Sequence, residues 1–163
     1  MLDLRNIIEV PGSSLDFQCE ISGEELLSPS IEAFDGPIVA EGTVKNSAGT
    51  LSLKGNVRGK MVCVCDRCGK AFDSILESEL DVDLIADAED EGEADAYPIE
   101  GNKLDVEALV LSDLLLNMET KFLCDPDCKG ICPKCGKDLN EGPCSCKADI
   151  DPRMAVLEQL LDK

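Results

Sequence analysis

The sequence predicts an α+β fold: an antiparallel β-meander or partly closed barrel packed on a buried helix, with a C-terminal cysteine-knuckle segment and a short terminal helix. Three observations lead there. From residue 15 to residue 85, apolar and polar residues alternate in runs separated by turn signals, the period of strands with one buried and one wet face. The stretch "LDVEALVLSDLLLNMETK" then reads as a helix. Beyond it, cysteines recur in close pairs among Gly, Pro and Asn.

In order along the chain, "LDFQCEI" places Leu15, Phe17, Cys19 and Ile21 on one side of the first strand, where Cys19 reads as a small buried hydrophobe. "PIVAEGTVK" precedes the turn "NSAGT", and "LSLKGNVRGKMVCV" runs into the first cysteine pair. "AFDSILESELDVDLIA" ends with Leu80, Val82 and Leu84 alternating against Glu79, Asp81 and Asp83. Cys63 shares a strand face with Cys65, but its spacing fits a structural role. Residues 86–98 form an acidic loop without periodicity, and they lack the alternating ligands and glycine of a calcium-binding loop. Asp105 is placed to cap the long helix, whose apolar residues nearly encircle it and so predict burial against the sheet. In "DPRMAVLEQLLDK", Asp151 takes the N-cap and Pro152 the first helical position, with Met154, Leu157, Leu160 and Leu161 as the apolar stripe. Residues 1–123 thus make the sheet and helix, and residues 124–163 a cysteine-rich segment packed as one unit with them.

The 163 residues suffice for one ordinary domain, and at 44% hydrophobic the chain as a whole is not disordered. Aromatics are only 3%, so the core is built from Val, Leu and Ile, and a metal staple would strengthen it. No apolar run is long enough to span a membrane. "MLDLRNIIEV" lacks the basic start and apolar stretch of a signal peptide. A cytoplasmic protein is expected, in which ten cysteines serve as metal ligands or redox groups and not as disulfides. The net charge of −19 disfavours non-specific binding to nucleic acid and suits basic protein partners. Its most basic stretch holds Lys54, Arg58, Lys60, Arg67 and Lys70 around the first cysteine pair, a weak candidate contact for RNA or a partner.

"CDRCGK" (65–70) and "CPKCGK" (132–137) are near copies. Cys-x-x-Cys-Gly is a turn in which two thiolates face one ion, backbone N–H groups point at the sulfurs, and the glycine takes the left-handed conformation. Together with Cys124/Cys128 and Cys144/Cys146 the pairs suit two tetrahedral Zn(2+) sites. Rubredoxin-like iron uses the same geometry, but nothing else in the chain suggests electron transfer. Chain proximity favours Cys132, Cys135, Cys144 and Cys146 as one site and Cys65, Cys68, Cys124 and Cys128 as the other. The alternative is a ribbon joining 65/68 to 132/135 and leaving 124/128 with 144/146. A third arrangement puts metal in the C-terminal cluster alone. Thioredoxin-type chemistry would place the pair at a helix start in a βαβ unit, a setting this sequence does not offer.

The order of these features resembles the bacterial large ribosomal RNA subunit accumulation protein family, the YceD family. The likeness runs through "CDRCGKAF", "LDVEALVLSDLLLNM", "CDPDCKGICPKCGKDLNEGPCSC" and "DPRMAVLEQLL"; the first fifty residues share only strand character. Where the family usually has an apolar residue and then Pro-Phe after its first pair, Gly69, Lys70 and Ala71 precede Phe72 here, which makes the pair look more like a metal knuckle. The resemblance implies a role in accumulation of large-subunit (23S) ribosomal RNA and in ribosome biogenesis, and supplies no catalytic residue. Without histidine, a general base near neutral pH would need a perturbed carboxylate, Lys or Cys. The expectation is a non-enzymatic zinc-binding factor whose partner is a large-subunit precursor, either 23S rRNA or a basic ribosomal protein. The competing expectation is a cytosolic thiol–disulfide redox or metal-handling protein.

Overall fold

The computed structural model describes residues 1–85 and 96–146. Its elements are β1 (Leu2–Asp3), the single-turn helix α1 (Arg5–Ile8), β2 (Ser14–Ile21), β3 (Ile31–Phe34), β4 (Ile38–Ser47), β5 (Thr50–Val64), β6 (Ala71–Ile85), β7 (Tyr97–Pro98), β8 (Lys103–Leu104) and helix α2 (Val106–Asn117). The main sheet runs β2-β4-β5-β6-β7, antiparallel except for β7, which lies parallel to the end of β6. β3 pairs with β5 beyond the end of β4, opposite Met61, Val62 and Cys63. β1 and β8 make a separate two-stranded ribbon.

The expected meander is therefore present in β2, β4, β5 and β6, but the alternative of a partly closed barrel is corrected. Among the described residues β2 and β7 are opposite edges with no pairing between them, so the sheet stays open. The acidic loop expected over 86–98 also ends sooner, because Tyr97 and Pro98 already pair with Leu84 and Ile85. Residues 86–95 and the helix expected from Asp151 lie outside the described residues.

Alternation decides the faces. Odd positions of β5 from Leu51 to Cys63 and even positions of β6 from Leu76 to Leu84 turn inward, onto Leu4, Leu26, Leu109, Val110 and Leu114. The Asp105 side chain caps α2 by accepting from the Ala108 N–H at 3.2 Å. α2 is less enclosed than its all-round apolar sequence predicts. Val106, Leu109, Val110, Leu111 and Leu114 are buried, while Leu115 and Leu116 remain 58% and 83% exposed. A helix lying on one face of one sheet has a second side that the sheet cannot reach.

Two features shape the sheet where β4 meets β5. Ala48 and Gly49 join the strands in a two-residue turn with φ of 55° and 100°, the positive values of a type I′ hairpin. Beneath it Asn46, only 1% exposed, donates from Nδ2 to the Ile7 and Ile8 carbonyls at 2.7 and 3.0 Å. Its Oδ1 accepts from the Gly49 N–H at 2.9 Å. The side chain thus terminates α1 and fixes the turn together. Asn46→Ala strands buried partners on both sides and is expected to cost about 2–3 kcal/mol in urea denaturation. The second feature is Gly42 opposite Gly55. A Cβ on either would run into the facing strand, at the Lys54 carbonyl oxygen for Gly42 and the Glu41 carbonyl oxygen for Gly55.

Candidate metal centres

The first knuckle is itself the turn of the β5–β6 hairpin. Val64 pairs with Ala71, and "CDRCGK" fills the loop between them. Inside it the Cys65 N–H donates to the Lys70 carbonyl at 2.9 Å and the Gly69 N–H to the Cys65 carbonyl at 2.8 Å. Residues 132–137 repeat this construction. Ile131 bridges Asp138, the Cys132 N–H donates to the Lys137 carbonyl at 2.9 Å, and the Gly136 N–H to the Cys132 carbonyl at 2.9 Å. Gly69 and Gly136 have φ of 71° and 70°, a conformation that glycine adopts without strain.

The structure gathers eight cysteines into two groups, Cys65/Cys68/Cys124/Cys128 and Cys132/Cys135/Cys144/Cys146, each with its sulfurs within 4.8 Å of one another. This is the grouping by chain proximity, not the ribbon-like exchange of knuckles. The sulfurs of Cys65 and Cys128 are 3.8 Å apart and those of Cys68 and Cys124 are 3.6 Å apart. Four thiolates at ~2.3 Å from a tetrahedral ion stand ~3.8 Å from each other, so the spacing fits zinc. Cys19 and Cys63 join neither group. Burial raises both of their thiol pKa values, as expected of cysteines that act as packing residues.

The electrostatics of the two groups run in parallel. Burial alone would push Cys65 up, but the backbone N–H groups of Cys124, Cys68 and Arg67 outweigh it and bring the thiol down to about 6. Cys124, hydrogen-bonded to the Cys65 and Cys68 sulfurs, is pushed up to about 12. In the second group the N–H groups of Cys135 and Lys134 lower Cys132 to about 6, and the hydrogen bond with Cys135 raises Cys146 to about 12. Protein groups thus favour one thiolate in each cluster and oppose a full set. A dication at the centre reverses that balance by attracting all four. The donor sets therefore fit a tetrathiolate zinc: Cys65, Cys68, Cys124 and Cys128 could hold one ion and Cys132, Cys135, Cys144 and Cys146 a second.

Polar contacts lock the first knuckle onto the C-terminal segment. The Arg67 guanidinium donates to the Cys128 and Pro126 carbonyls at 2.7 and 3.3 Å. The Ile131 N–H donates to the Arg67 carbonyl at 3.1 Å, which brings Gly130 so close that a Cβ would meet that carbonyl at 2.8 Å. Lys70 reaches Asp138 at 2.6 Å and Glu141 at 3.5 Å. Asp66, which no sequence pattern singles out, accepts from the Ser30 hydroxyl at 2.6 Å and the Phe122 N–H at 2.7 Å; these bonds hold its carboxyl below the usual range. The Asn140 side chain donates to the Cys128 sulfur at 3.4 Å, a contact that sequence spacing does not reveal.

The five basic residues marked in the sequence do not form one patch. Lys54, Arg58 and Lys60 lie on the outer face of β5, where Lys54 pairs with Asp81 at 2.8 Å and Arg58 faces Glu77 at 3.7 Å. Arg67 and Lys70 belong to the knuckle contacts above. Among the described residues no helix is long and apolar enough to cross a membrane.

The profile described as "Large ribosomal RNA subunit accumulation protein YceD" matches residues 53–161. Uncharacterized proteins of Mycobacterium bovis and Mycobacterium tuberculosis are 30% identical over 114 residues, covering 67% of this chain and 55% of theirs. The chain thus spans about half the length of those curated relatives. The uncharacterized protein YlbN of Bacillus subtilis is 25% identical over 160 residues, covering 94% of this chain and 91% of its own. No solved structure matches the chain. The family match begins within β5, runs through both cysteine groups, and bears out the resemblance read from the cysteine knuckles and the helix between them: this chain belongs to the YceD family.

Proposed function

We propose that this chain is a non-enzymatic zinc-binding factor that supports accumulation of 23S ribosomal RNA by holding a basic ribosomal protein during large-subunit assembly. The observation that carries the reading is the extent of the family match, which includes all eight clustered cysteines. The two zinc ions are structural in this reading, since each group offers four thiolates and leaves no coordination position for a substrate. Charge favours a protein contact over RNA. Lys54, Arg58 and Lys70 already have acidic partners, and each tetrathiolate zinc centre adds two negative charges to a chain at −19. Single-stranded RNA would also call for stacking aromatics, and the chain has one Tyr and four Phe.

Gradient sedimentation of cell extracts tests the proposal. The protein is expected with large-subunit precursors, and cells lacking it are expected to show a lowered ratio of 23S to 16S RNA. Absence from every ribosomal fraction together with an unchanged ratio overturns the reading.

A further inference from the structure

Among the described residues β2 is an edge strand with one side unpaired. Among the described residues Ser14–Ile21 pairs only with β4, in an unbroken register from Ser14 opposite Lys45 to Ile21 opposite Ile38. The Asn46 N–H donates to the Ser13 carbonyl at 3.0 Å. By the alternation of an antiparallel ladder, the N–H and C=O groups of Ser14, Asp16, Gln18 and Glu20 then point away from β4. The strand contains no proline, no glycine and no bulge against β4, the devices that ordinarily blunt an edge.

Both faces of β2 are also incomplete. On the core side Phe17 and Ile21 are buried, but Leu15 and Cys19 are only half covered. On the outer side Asp16 and Glu41 border an open groove of about 850 Å³ whose floor crosses Gly42 and Gly55. Glu20 continues the acidic column along the same strand.

We infer that β2 accepts an extended basic segment of a partner protein as a further strand of the sheet. Alternate Lys or Arg side chains of that segment meet Asp16, Glu20 and Glu41, and the apolar residues between them cover Leu15 and Cys19. Main-chain hydrogen bonds supply affinity and the alternation supplies specificity. The same carboxylates repel a second copy of β2, which directs the edge away from self-pairing. The inference rests on the sheet edge alone and is independent of whether the partner is ribosomal.

A short peptide of alternating lysine and valine is the probe, with a peptide of equal composition but segregated lysines as control. The alternating peptide is expected to bind the full zinc-loaded chain at least about tenfold more tightly. It should also slow backbone amide exchange across residues 14–21. Gln18→Pro removes an outward N–H that the fold does not use and is expected to weaken binding about tenfold. Should that variant fold poorly, the charge-reversed pair Asp16→Lys and Glu20→Lys, at exposed positions, decides the matter by the same loss. Equal binding of the two peptides, wild-type affinity in the charge-reversed protein, or slowed exchange confined to another edge each overturns the inference.

Discussion

Cys128→Ser is expected to release one of two zinc ions and to lower the melting temperature by about 15 °C or more, whereas Cys144→Ser releases one ion with a fall of about 5 °C or less. The asymmetry follows from what each centre ties together. Cys65 and Cys68 sit at the tip of the β5–β6 hairpin, and Cys124 and Cys128 bring the C-terminal segment to it across 56 to 63 residues. Cys65 and Cys128 are both buried, so a serine there leaves an unligated polar group in a closed site. The cysteines at 132, 135, 144 and 146 close only a local loop, and Cys135 and Cys146 are exposed. Structural zinc contributes on the order of 10 kcal/mol to small metal-dependent folds, comparable to the whole stability of a domain. Native mass spectrometry for the ion count, paired with thermal melts, checks both variants. Equal falls in melting temperature would contradict the assignment of the hairpin-tip site as the one that secures the fold.

Gly55→Val is expected to destabilise the protein by about 4 kcal/mol or to prevent folding, a loss far beyond that of an ordinary surface change. Gly55 turns toward the core on the sheet's longest hairpin, between Gly42 on β4 and Leu80 on β6. The added Cβ would collide with the Glu41 carbonyl, and that carbonyl belongs to a backbone held by pairing on both sides. Gly59 supplies the comparison. A Cβ there meets the Ile38 side chain at 3.2 Å, which can move, so Gly59→Ala is expected to cost about 1 kcal/mol. Denaturant titration of the two variants reads the contrast directly. A Gly55→Val protein as stable as Gly59→Ala would mean that β4 and β5 separate more easily than their pairing implies.

Much of the sheet can be read from particular residues. Once "CDRCGK" is taken as a turn, pairing Val64 with Ala71 sets every later pair, down to Leu51 with Leu84. The cross-strand partners Lys54 and Asp81 follow from the same count. What alternation cannot tell is where a glycine marks close backbone approach. Gly42 and Gly55 read as weak positions in their strands until the register places them side by side. The sides of α2 are illegible for a related reason. Leu114 and Leu116 are the same residue to any hydropathy pattern, yet one is fully buried and the other points to solvent. For the cysteines, spacing identifies the four pairs and chain proximity favours the observed grouping, but the contacts that bring Cys124 and Cys128 to the first knuckle are a through-space fact. It depends on the 122–131 segment lying along the first knuckle through Asp66 and Arg67.

The knuckle that serves as a hairpin turn also sets a timetable for the newborn chain. Its strands β5 and β6 are complete soon after residue 85 is added, but the second half of the cysteine group arrives only with Cys124 and Cys128. At ~5–20 residues per second the stretch from residue 85 to Cys128 takes roughly 2–9 s. Throughout that interval the hairpin tip presents the thiols of Cys65 and Cys68 with no second pair yet to join them. A chain released before Cys128 leaves the exit tunnel would carry a finished ladder and an open clasp. With zinc as the shared ion proposed above, the metal supply at the moment of synthesis would govern, as much as the strand sequence, how many molecules mature.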